Sequence, residues 1–148
     1  MFQLIVAVIA IALVIALTLA SIFYGGEAFT RSSLKANVAA MVNQAQQISG
    51  AHTLYKTDFS RSATNLQALE DAGYLAEVPT APKIAKIDAN GDVAAWEYRA
   101  TGAKSTQGVY LELGNEPDET CKAVAQNGAG ECQAQDGSAG NEYFVFPL

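Results

Sequence analysis

The sequence predicts an α+β protein, in which one long N-terminal helix packs on a small antiparallel β-sheet. Three observations carry that expectation. The first 24 residues are almost wholly apolar, and no charged side chain occurs before Glu27. A helix-period pattern then continues to Tyr55, but on one side only. Beyond it lie short runs of β-type residues separated by Pro, Gly, Asn and Asp, the spacing of hairpins rather than of crossovers.

Phe2–Tyr24 is long enough to cross a bilayer, since about 20 apolar residues rising 1.5 Å each span about 30 Å. A cleavable secretory signal fits poorly: the run is too long and the basic segment that precedes such signals is missing. A plain signal anchor leaves the first basic residues, Arg31 and Lys35, after the span, which by the positive-inside rule keeps the remaining chain in the cytoplasm. A short basic leader removed just ahead of Met1 would reverse that orientation, and would leave the apolar helix to begin with a free amine.

Gly25-Gly26 follows, a pair that costs helix stability and permits a kink or local unwinding. Leu34, Val38, Met41, Ala45, Ile48, His52 and Tyr55 then recur at alternating spacings of four and three, one face of an amphipathic helix. Lys35, Asn37, Asn43, Gln44 and Gln47 mark the opposite side. The expected organisation is a hydrophobic helix over residues 1–24, an amphipathic continuation over 25–57 and an α+β head over 58–148.

In the head, Thr64–Ala72 reads as a short helix, with Thr64 and Gln67 as a capping box and Gly73 as its stop. Pro79 and Pro82 mark a loop. Ile84–Ile87 and Val93–Ala100 flank Asn90-Gly91, a tight-turn signal, and read as a hairpin. Val109–Leu113 reads as a strand, Pro117–Val124 as a short helix with Asp118 and Glu119 at its positive end, and Tyr143–Phe146 as a closing strand. Gly128, Gly130, Gly137 and Gly140 fall in a polar stretch that reads as loop.

Composition narrows the function classes. The formal net charge of −6 argues against a nucleic-acid backbone as partner. Cys121 and Cys132 are the two cysteines. In an exported domain such a pair reads as one disulfide, contributing roughly 2–4 kcal/mol, whereas a metal or redox role lacks a CxxC or a second histidine. Asp88, Asn90 and Asp92 alternate as oxygen ligands do at the start of a calcium loop, but no terminal glutamate completes one, and the Asn-Gly turn explains the same residues. The lone His52 faces the core and supports no Ser-His-acid set. Trp96, Tyr98 and Tyr110 read as sheet packing. Neither a cofactor nor an enzymatic activity is expected.

With these elements in order, the chain resembles the type IV pilins and their relatives, the pseudopilins of type II secretion. NQAQQISGAHTLYKTDFS resembles the end of the pilin helix, and LQALEDAGYLAEVPTAP the loop that follows it. Cys121-Lys-Ala-Val124 on a short helix, with Met1 as first mature residue, is similar to the type IVb branch. The resemblance implies a pilin fold. It also implies a structural subunit that sits in the bacterial inner membrane and then polymerises into an extracellular helical filament. Filament-core contacts would come from Met1–Tyr24, among them Phe2, Leu4, Ile5, Val8, Ile11, Val14, Leu17 and Ile22. Gly25 and Gly26 would supply flexibility, and Cys121–Cys132 would lock the exposed end. The implied partners are further copies of the chain, a prepilin peptidase, an assembly ATPase and an inner-membrane platform; methylation of the Met1 amine is implied as well.

Two positions depart from the pilin pattern. Most such pilins carry, at the fifth mature position, a glutamate that pairs with the N-terminal amine of a neighbouring subunit; here Ile5 stands there, and Gln3 is the nearest polar side chain. Many have a proline near the twenty-second position, where this chain has Ile22. The first departure points toward a minor pilin or pseudopilin as the alternative to a major subunit. A membrane-anchored binding domain that never polymerises is the alternative of a different class.

Overall fold

A computed structural model describes residues 1–100 (backbone only at 27–29), 107–114, 117–134 and 142–148. The chain divides into two compact units, Met1–Ser33 and Leu34–Leu148. Helix α1, Phe2–Phe59, supplies all but one residue of the first unit and enters the second. Gly25 and Gly26 are helical within it. It ends at Ser60, which takes the left-handed conformation (φ 53°) usual after a helix C-terminus.

The second unit is an α+β head. After α1 come α2 (Leu66–Asp71), β1 (Glu97–Arg99), β2 (Gly108–Glu112), α3 (Pro117–Asn127), β3 (Glu131–Ala134) and β4 (Glu142–Pro147). The strands form one antiparallel sheet in the order β1-β2-β4-β3. Val38, Met41, Val42, Ala45 and Ile48 of α1 share one core with Val109 and Leu111 of β2 and Phe144 of β4. All seven positions of the expected apolar face turn to this core, Leu34 partly and the rest buried. Register explains the sheet's contribution. Val109 pairs with Phe146 and Leu111 with Phe144, so these side chains share one face of the sheet. The intervening Tyr110, Tyr143 and Val145 form a second small cluster on the other face.

Several sequence expectations need correction. The cap of α2 is Asn65, whose side chain accepts from Ala68 N at 2.8 Å, so the Thr64 capping box does not form. Asparagine one residue later offers the same short acceptor at the correct height. Gly73, at φ 78°, does stop the helix.

The expected hairpin of Ile84–Ile87 with Val93–Ala100 is reduced to the isolated bridge Ile87–Val93, because the first segment divides its hydrogen bonds between two neighbours. Ala94 N donates to Lys86 O on one side, while Lys86 N donates to Glu112 O and Gly114 N to Ile84 O on the other. Of Val93–Ala100, only Glu97–Arg99 is strand.

β3 lies in the stretch expected to be loop. Its sequence, Glu-Cys-Gln-Ala, lacks a strand signature, and pairing with β4 at the sheet edge forms it. Gly128 and Gly130 precede it with positive φ; Gly137 and Gly140 fall outside the described residues. Helix α3 runs to Asn127, three residues past the expected Val124, and is stopped by Gly128.

Candidate functional site

The most unusual surface is the apolar half of α1. Phe2, Leu4, Ile5, Val8, Ile11, Val14, Leu17 and Ile22 are each more than half exposed, and so are Val6, Ile9, Leu13, Ile15 and Leu19 on the other sides of the helix. An ordinary monomer exposes apolar patches of at most a few hundred Å². A helix that is hydrophobic all round belongs inside a larger core or in a bilayer. Two of its hydroxyls are satisfied by the helix's own backbone: Thr18 Oγ1 donates to Val14 O at 2.7 Å and Ser21 Oγ to Leu17 O at 2.9 Å. By length and composition this helix is able to cross a membrane. Its first turn contains no acidic residue, so with Ile5 in place the Met1 amine has no carboxylate in that turn. Phe23 and Tyr24 end the apolar stretch, both largely exposed; aromatic rings of this kind favour membrane–water boundaries.

The head fixes the other candidate residues. Cys121 on α3 and Cys132 on β3 form a disulfide with Cα atoms 5.8 Å apart. Beside it lies Glu142, whose Oε2 is 2.8 Å from Cys121 Sγ. Among the described residues these three form the one group of His, Cys, Asp and Glu atoms close enough to share an ion, all within 4.8 Å. With the sulfurs bonded to each other, neither is a thiolate ligand.

Asp88, Asn90 and Asp92 are brought together by a turn. Gly91 N donates to Asp88 O at 3.1 Å, and Asp88 Oδ1 accepts from Asn90 N at 2.8 Å and Asp92 N at 2.9 Å. Gly91 has φ 89°, while Asn90 is not in the left-handed region, so this is not the two-residue hairpin turn that Asn-Gly commonly makes. The Asp88 carboxylate thus holds backbone donors. Nearby, Lys86 Nζ pairs with Glu112 at 2.6 Å, and that hydrogen bond raises the lysine pKa.

His52 is 3% exposed, its ring centroid is 5.5 Å from that of Tyr98, and its Nε2 is buried without a hydrogen-bond partner. Burial first, and the Lys56 charge second, lower its pKa. A neutral, enclosed imidazole with an unpartnered nitrogen is a packing element.

Two constellations carried no sequence signal. Gln44, expected on the polar side of α1, accepts from Trp96 Nε1 at 3.1 Å and donates to Thr80 O at 2.9 Å, tying two loops to the helix. Arg99 lies over Tyr110 and Tyr143, 4.6 and 4.7 Å from their ring centroids, and is held by Glu97 at 2.8 Å. Strand alternation suggests which tyrosines share a face; only the register brings Arg99 to both.

No protein-family model, curated protein or solved structure matches this chain.

Proposed function

We propose that this chain is a major pilin, the structural subunit of a type IV-like pilus, and that it polymerises through its N-terminal helix. The observation that carries the reading is the apolar surface of Phe2–Tyr24, exposed around its whole circumference and joined in sequence to a head that closes its own core. Lipid satisfies such a surface before assembly. After extraction it requires burial against other subunits, at roughly 25 cal/mol per Å² of apolar surface. Identical subunits that pack one helix against different neighbours make a heterologous contact, and where its rotation does not close into a ring the product is a helical filament. The pilin-like order of elements supports the reading as well. The implied route runs from the bacterial inner membrane to an extracellular pilus, through a prepilin peptidase, a platform protein and an assembly ATPase. The Met1 amine is the proposed methylation site, and Gly25-Gly26 the proposed flexible point.

The absence of an acid in the first turn favours a second reading, a minor pilin or pseudopilin at a filament tip. Electron microscopy of material sheared from cells, with mass spectrometry of its proteins, separates the two. Thin filaments composed mainly of this chain are expected. Filaments with only traces of it would establish the minor role. A chain that stays in the membrane fraction and yields no filament would overturn both and leave an anchored binding domain.

A further inference from the structure

We propose that Glu142 is a charge guard for the Cys121–Cys132 disulfide, slowing its opening by thiols. The inference is independent of polymerisation. Both cysteines are only partly buried, so a small thiol can reach the bond. Glu142 Oε2 lies 2.8 Å from Cys121 Sγ. A disulfide sulfur carries no proton, so this contact sets a carboxylate directly against the reactive atom. The backbone holds it there: Glu142 pairs with Ala134 in the sheet, and its carbonyl accepts from Leu113 N at 2.9 Å.

Opening the bond requires a thiolate. The incoming sulfur bonds to one cysteine, the S–S bond breaks, and its electron pair passes to the other cysteine, which takes a proton from water. A second thiol then displaces the first from the mixed disulfide, so that two thiols are oxidised to a disulfide and the protein is reduced to two thiols. Either route meets the Glu142 charge. Attack at Cys121 brings an anion to the sulfur that the carboxylate touches. Attack at Cys132 makes Cys121 the leaving thiolate, next to the same carboxylate. Once protonated, the released Cys121 thiol has Glu142 as a hydrogen-bond acceptor.

The test uses the full chain in a non-ionic detergent. Disulfide opening by cysteamine (cationic), mercaptoethanol (neutral) and mercaptoethanesulfonate (anionic) is followed by alkylation and mass spectrometry, with rates expressed per thiolate. Glu142→Gln keeps the shape and removes the charge. It is expected to accelerate opening by the anionic thiol roughly five- to tenfold, the effect of one unit charge a few ångströms away in a wet site. The acceleration should be smaller for cysteamine and should shrink in high salt. Glu70→Gln, on α2, removes a charge elsewhere and is expected to leave all three rates unchanged. Unchanged rates in Glu142→Gln would overturn the proposal. So would an increase that is equal for all three thiols and indifferent to salt, which would mark a loosened head, or an equal acceleration by Glu70→Gln, which would mark net charge.

Discussion

His52 gives α1 a pH-sensitive residue in its packed face. Its pKa is held below the ordinary value of about 6.5, because burial disfavours the imidazolium and Lys56 adds to the effect. The unfolded chain therefore takes up a proton that the folded head refuses. The contribution to stability is full above about pH 6.5, and falls as the pH drops from there toward the lower folded-state pKa. Denaturant midpoints measured on both sides of that window should show the loss in the wild type, and His52→Phe should show a smaller slope. Gln44 is the second residue whose role is set by its partners. Gln44→Ala strands the indole N–H of Trp96, itself only 4% exposed, and should cost about 1–3 kcal/mol by chemical denaturation. His52 was legible from periodicity as a core position. Gln44 was not, since the helix pattern places it on the polar side and only the fold of residues 80–96 brings Thr80 and Trp96 to it.

At the scale of elements, patterning worked where packing repeats a local period. The amphipathic face of α1, strand β2 and the start of α3 all follow from the spacing of apolar residues and from Pro117. It failed where pairing overrides composition. β3 is polar and short, and exists because β4 offers it a free edge and the disulfide ties it to α3. The approach to β3 is tight. Gly130 has φ 86°, and a methyl there would overlap the fully buried Phe144 ring. Gly130→Ala combines backbone strain with overpacking and should destabilise the head by about 2–4 kcal/mol, read as a lowered thermal or denaturant midpoint. The Asn-Gly turn shows the same limit: glycine supplies the positive φ, but Asp88 and its backbone donors select the five-residue loop.

For the whole molecule, the two units separate stability from the proposed assembly. The head closes its core with residues from Val38 onward, whereas the apolar half of α1 is exposed on every side. Val14→Lys places a charge in the middle of the apolar surface, at a cost of about 3 kcal/mol in a bilayer centre. Filaments in sheared fractions should be lost, while the unfolding free energy of the head changes by less than about 0.5 kcal/mol. Filament yield at the wild-type level would mean that the helix surface is not the assembly contact. A head that melts early would mean that the units are not independent.

The sequence by itself determined the α+β class, the length and all-round apolarity of the first helical stretch, and the face on which its continuation packs. Each depends on a period of 3.6 or 2 and on burial, properties that travel with the local chain. Only the tertiary structure decided that Asn65 caps α2, that a polar segment completes the sheet, that Arg99 lies across two tyrosines, and that Glu142 touches the disulfide. These depend on register and on contacts between residues far apart in the chain, and a single sequence carries no periodic signal for either.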